Sequence, residues 1–246
     1  MVTANISSES TLNMGTRHIE LKDWNAVLEY IDSNDYQIPM STIEYIMQHA
    51  SILPKDAFSK GQLASKSWLL QSLNEVLDRE PINISTVGIV GVWIGTLVEP
   101  LLLNYIGKDI ERIYGFDMDP SAIELSEKLN DKYVANEWQY KGVVVDVNTL
   151  DFSNLQFETG NELINTKLNM IVNTSSEHMT TEWFDSIDSD TLIVMQTNNS
   201  PDFEGHINTC NSLSDMQKQY PLDRTLYIGK LNTPAYTRYM QIGYKR

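Results

Sequence analysis

One cysteine in 246 residues, Cys210, excludes an intrachain disulfide and suits a reducing compartment, so a cytoplasmic location is expected. Long apolar runs are missing too: none approaches the roughly 18 residues a transmembrane helix needs. Met1 to Glu9 has neither a basic stretch nor an apolar core, which argues against a secretory signal. Basic residues are scarce, 18 Lys and Arg against 33 Asp and Glu, and they form no cluster. A nucleic-acid backbone is therefore not an expected partner, and the net charge of −15 reads first as solubility. There is no G-x-S-x-G elbow and no P-loop, against hydrolases of that type and NTPases. No pair of His, Cys or Asp stands at metal-ligand spacing, so no metal site is expected. His18 and His49 are isolated, and Cys210 has no basic neighbour that would make it a nucleophile.

What is present divides into two rhythms. The first 18 residues are polar and patternless. Leu21, Trp24, Val27, Leu28 and Ile31 then fall at helical spacing. Ser41 and Glu44 form a capping box for a second helix, carrying Ile43, Ile46, Met47 and Ala50 and stopped by Pro54. A third helix is predicted from about Gly61 to Asp78, with Leu63, Leu70, Leu73 and Leu77 inward. Beyond it, apolar strands alternate with helices. Strands are predicted at 86–90, 113–116, 142–146, 168–172 (ending at Asn173) and 191–196, with helices at 97–106 and 120–129. Pro100 lies near the first turn of one helix; Asp119 and Pro120 are the N-cap and first residue of the other. Continuous apolar strands separated by helices imply a parallel sheet buried on both faces. The tail breaks the pattern: 225–231 and 237–245 are joined by so short a turn that they must run antiparallel.

The segment Ile113-Tyr114-Gly115-Phe116-Asp117-Met118-Asp119-Pro120 carries the most chemistry. It reads as a buried strand that ends on an acid and turns directly into a helix. Upstream, the 86–90 strand runs into Gly91-Val92-Trp93-Ile94-Gly95 and another helix. A glycine-bearing turn after one strand and an acid at the end of the next is a nucleotide-ribose arrangement: the bare backbone admits a ligand and the carboxylate accepts from vicinal hydroxyls. The competing reading of Asp117, a helix-starting acid on a surface turn, is weakened because Asp119 fills that part better.

This sequence resembles the class I S-adenosylmethionine (SAM)-dependent methyltransferases over roughly residues 60–246. The resemblance implies an α/β fold: a seven-stranded, mostly parallel, doubly wound sheet with an antiparallel C-terminal hairpin. It divides the chain into a helical N-terminal extension, 1–58, a possible lid, and a Rossmann-like domain, 59–246; Ser59-Lys60-Gly61-Gln62 marks the entry. It further implies SAM as cofactor. Gly91 and Gly95 match the outer glycines of G-x-G-x-G around the methionine end. Asp117 would hold the ribose, Met118 would lie against adenine, Asp146 would meet the adenine amino group, and Val147 would add a backbone contact. Two departures stand out: Trp93 replaces the middle glycine, and Ile89 replaces the acid two residues before the first. On the acceptor side the segment Asn173 to His178 is expected to face the transferring methyl, with His178 as base and Glu177 holding an amine or orienting the imidazole. The alternative there is a plain strand-to-helix loop capped by Ser175 or Ser176. The second candidate for the acceptor side is Gln196-Thr197-Asn198-Asn199 through His206, which follows the fifth strand at the carboxyl edge where such sheets bind ligands; the competing reading is a solvated loop rich in turn residues. The expected activity is methyl transfer to a small molecule or peptide. A non-catalytic scaffold on a degenerate methyltransferase fold and a NAD(P)-dependent oxidoreductase are the rival readings. The acceptor and the oligomeric state are not read from the chain.

Overall fold

The computed structural model describes residues 53–98, 101–102, 110–135, 138–159, 162–203, 205–233 and 235–245. The two helices expected before residue 53, and most of the one expected over 97–106, lie outside these residues. The first described helix, α1 (Lys60–Arg79), starts where Ser59 accepts a hydrogen bond from the Gln62 N–H at 3.3 Å. It buries Leu63, Leu70 and Leu73, as their spacing predicts, together with Leu69 and Val76.

Among the described residues nine strands follow: β1 (Thr86–Val90), β2 (Arg112–Asp117), β3 (Tyr140–Val144), β4 (Gln156–Thr159), β5 (Glu162–Asn165), β6 (Met170–Asn173), β7 (Leu192–Asn198), β8 (Arg224–Asn232) and β9 (Thr237–Tyr244). Seven form one sheet in the order β3-β2-β1-β6-β7-β9-β8. The pairings from β3 to β7 are parallel, and β9 is antiparallel to both of its neighbours. This is the expected mostly parallel α/β sheet with an antiparallel C-terminal hairpin.

Alternation along the strands sorts two apolar layers onto the two faces. Val87, Ile89, Ile113, Met170, Val172, Leu192 and Val194 pack with α1. Val90, Tyr114, Phe116, Ile171, Ile193 and Met195 pack with Trp183, Phe184 and Tyr220. Helix α2 (Pro120–Leu129) has the predicted bounds, with Asp119 accepting from the Ser121 N–H at 2.8 Å. Three shorter helices, α3 (Asp131–Ala135), α4 (Glu182–Asp185) and α5 (Leu213–Gln219), and the β4–β5 hairpin were not predicted. The hairpin is legible only in three dimensions. Its one deeply buried apolar residue, Phe157, joins Tyr114 and Phe116 at ring-centroid distances of 5.1 and 5.4 Å.

Two strand ends need correction. β3 stops at Val144, so Asp146 lies beyond the strand and caps a 3-10 turn, accepting from the Asn148 N–H at 3.0 Å. β7 continues to Asn198, so Gln196, Thr197 and Asn198 are buried strand residues and not loop residues.

Candidate functional site

The order of strands in the sheet puts a crevice at the carboxyl edge between β1 and β6. The chain winds outward in one direction through β2 and β3, and in the other through β7. The register brings Val90 level with both Phe116 and Asn173, so the residues just past these strands converge there.

The loop after β1 has an alternating backbone: Gly91, Trp93 and Gly95 take φ values of 64°, 51° and 74°. All three positions are therefore left-handed, and Trp93 occupies the middle one at a cost of roughly 1–2 kcal/mol. Asp117 holds the loop in place. Its Oδ2 accepts from the Trp93 N–H at 2.9 Å and its Oδ1 from the Asp119 N–H at 3.0 Å. Each carboxylate oxygen keeps further acceptor capacity after one such bond. The Val92 N–H donates to the Phe116 carbonyl at 3.0 Å, a second tie between the loop and β2. Packing within the chain also favours glycine at both ends of the loop, more strictly at Gly95 than at Gly91. A Cβ on Gly95 would lie 2.9 Å from Asn130 Nδ2, and one on Gly91 would lie 3.2 Å from Met179 Cε. Beside Asp117, two large apolar side chains stand open to solvent: Met118 is 72% exposed and Val144 52%. Val144 pairs with Asp117 across β2–β3, a neighbour that no sequence motif marks. Val147 is buried in the core layer under this edge.

The polar segment after β6 is more deeply set than its composition suggests. Asn173 is fully buried; its Oδ1 accepts from the Ser175 N–H at 2.8 Å and its Nδ2 contacts Met179 Sδ at 3.2 Å. Ser176 to His178 form one 3-10 turn, with no side-chain cap from Ser175. Ser176 Oγ donates to the Gln196 carbonyl at 2.7 Å. Glu177 is 2% exposed, accepts on Oε1 from Asn198 Nδ2 at 2.6 Å, and faces Arg238, 3% exposed, at 3.6 Å. Arg238 Nη1 donates to the Thr174 carbonyl at 2.8 Å. His178 keeps part of its surface in solvent, and partial desolvation of its ring pulls its pKa below the ordinary imidazole value, against the opposing charge of Glu177.

Sequence spacing missed Arg238 and Lys66, which arrive from β9 and α1, and named Asn198 as part of a stretch after the strand, whereas it is the last residue of β7. Lys66 is buried one helix turn from Gln62, to whose Oε1 it donates at 3.0 Å. Burial, and then the nearby Arg238 charge, bring its pKa down to about 7. In the fold, Glu177, His178 and His206 bring one ligand atom each within 4.8 Å of one another, a grouping that spacing along the chain does not show. His206 comes from the loop after β7, which linear spacing cannot pair with Glu177. Cys210, by contrast, is buried, and its thiol is pushed up to about 11, chiefly by desolvation, as expected of an unreactive cysteine.

Solved methyltransferase structures share this architecture. The chain is similar to N-methyltransferase NodS from Bradyrhizobium japonicum WM9 in complex with S-adenosyl-L-homocysteine (SAH). That match has 10% identity and a TM-score of 0.54, and it covers 90% of this chain and 98% of that one. It is similar as well to magnesium protoporphyrin IX methyltransferase from Synechocystis PCC 6803 with bound SAM, at 11% identity and TM-score 0.53, over 89% and 97% of the two chains. The fold is that of the class I SAM-dependent methyltransferases. No family model and no curated protein matches the sequence, so the likeness lies in the fold alone. In that fold the Gly91-to-Gly95 loop and Asp117 stand at the crevice where ligands of doubly wound sheets bind. Among the described residues, no helix is long and apolar enough to cross a membrane.

Proposed function

We propose that this protein is a SAM-dependent methyltransferase acting on a small molecule or a peptide. One observation carries the reading: the left-handed Gly91-Trp93-Gly95 loop is tied by its backbone to the Asp117 carboxylate at the crevice beside β1. The residues present fit such a cofactor. Asp117 retains acceptor capacity for ribose hydroxyls, and its two backbone hydrogen bonds fix its orientation beforehand. Met118 and Val144 offer apolar surface to an adenine ring. Asp146 and Val147 would supply polar and backbone contacts to that ring, and Gly91, Trp93 and Gly95 would hold the amino-acid end.

When bound, the cofactor supplies an electrophilic methyl group on a sulfonium; the protein supplies position and exclusion of water. Asn173, Glu177 and His178 are the acceptor-side residues on this reading. Asn173 fixes the turn that carries the other two, and the exposed imidazole of His178 faces the acceptor. The acidic surface and the lack of a basic cluster favour a compact acceptor over a polyanion.

Calorimetry decides the cofactor. SAH is expected to bind and NAD is not. Asp117→Ala is expected to weaken SAH binding by ten-fold or more while the protein stays folded. An Asp117→Ala variant that binds SAH as tightly as the parent overturns the ribose assignment.

A further inference from the structure

The geometry points to a divalent transition-metal site formed by Glu177, His178 and His206. One carboxylate and two imidazoles make a nitrogen–oxygen donor set suited to zinc, cobalt or iron(II). Their ligand atoms already lie within 4.8 Å of one another. Two ligands of a tetrahedral zinc, each about 2.1 Å from the ion, stand roughly 3.4 Å apart, so small side-chain adjustments close the site.

Three features show that the donors are prepared for an ion. His206 Nδ1 donates to the Ser200 carbonyl at 2.5 Å, which fixes the tautomer and leaves Nε2 with its lone pair. His178 is set against the backbone of Gly205: its Nδ1 lies 3.2 Å from where a Cβ on that glycine would stand. His206 thus has one nitrogen on the backbone and one left to bind, the arrangement that orients metal-binding histidines. Glu177 completes the set. Its Oε1 is occupied by Asn198 and Arg238, while Oε2 is buried with no hydrogen-bond partner among the described residues. A buried carboxylate oxygen without a partner is unfavourable, and a cation removes that penalty. The two rings meet edge to face at 4.5 Å with His178 exposed, so an ion reaches the site from solvent and keeps positions open for water or an acceptor.

The inference does not rest on the methyl donor: a protein that ignores SAH still binds metal if it is right. It does change the part of His178, which becomes a ligand, leaving the bound ion to lower the acceptor pKa.

The test is titration of metal-stripped full-length protein with Co2+, read by visible ligand-field absorption, followed by displacement with Zn2+. One equivalent per chain is expected, with a rise in Tm on adding Zn2+. His206→Gln and His178→Gln are each expected to weaken Co2+ binding by ten-fold or more and to abolish the Tm rise, with circular dichroism spectra unchanged. A His18→Gln/His49→Gln variant is expected to bind as the parent does. The proposal fails if the parent takes up no stoichiometric Co2+. It fails equally if His206→Gln binds as tightly as the parent, or if affinity follows His18 and His49 instead.

Discussion

Gly95 and Trp93 show how much a single backbone position decides in this loop. Trp93 holds a φ of 51° that few large side chains adopt, and its N–H is anchored on Asp117. The strain persists because that hydrogen bond and the flanking left-handed glycines determine the chain path on both sides. Gly95 has no such latitude. An alanine there combines a φ of 74° with a Cβ 2.9 Å from Asn130 Nδ2 and 3.0 Å from Ser126 Cβ, both in buried residues. Asn130 cannot swing aside without giving up its bonds to the Gly95 and Ser126 carbonyls. Gly95→Ala is therefore expected to destabilise the protein by about 2 kcal/mol or more. Gly91→Ala, whose nearest neighbour is the flexible end of Met179, should cost less. Urea denaturation of the two variants checks the ranking; equal losses would mean that packing does not separate the positions.

Where β6, β7 and β9 meet, their side chains form a polar core inside an apolar sheet. Gln196 on β7 accepts from Ser65 Oγ at 2.6 Å and donates to the Ser65 carbonyl at 3.1 Å, so α1 is tied to the centre of the sheet by a reciprocal pair. One residue further along that face, Asn198 reaches Glu177, and Glu177 faces Arg238 of β9. Both charges are almost wholly buried, so removing one partner leaves the other uncompensated. Glu177→Leu alone is expected to cost about 3–5 kcal/mol, and adding Arg238→Met should restore most of that loss. Matching stabilities for the single and double variants, measured by chemical denaturation, would show that the pair is not coupled. These contacts also explain why the stretch from Gln196 does not lie in a loop. Its polar residues satisfy one another across elements, which composition alone cannot reveal.

For the molecule as a whole, Lys66 couples stability to pH. Its pKa falls from 10.5 to about 7, through burial first and the Arg238 charge second, with Asp56 opposing. At pH below about 7 the lysine is protonated whether the chain is folded or not, and the full burial penalty acts against folding. Between about 7 and 10.5 the unfolded chain holds a proton that the folded one has released, so stability from this group rises with pH. Lys66→Met is expected to flatten that rise and to stabilise the protein most at the acidic end of the interval. Urea midpoints across the interval check this, and an unchanged slope would show that Lys66 is hydrated in the folded protein.

Local chemistry was enough to read the α/β class, the bounds of β1 and α2, the Asp119 cap, the antiparallel tail and the glycine loop facing Asp117. Each depends on periodicity, a cap or a turn, interactions that span only a few residues. The polar core was not legible as a unit, because Lys66, Glu177, the stretch holding Asn198 and His206, and Arg238 lie far apart in the chain and meet only when the sheet closes. The β4–β5 hairpin was missed for a related reason: a strand with one inward residue has no period of its own and takes its place from the aromatic layer beneath it. Neighbours along the chain specify which segments become strands and helices. Burial decides which charges must find partners, and burial exists only once distant segments have packed.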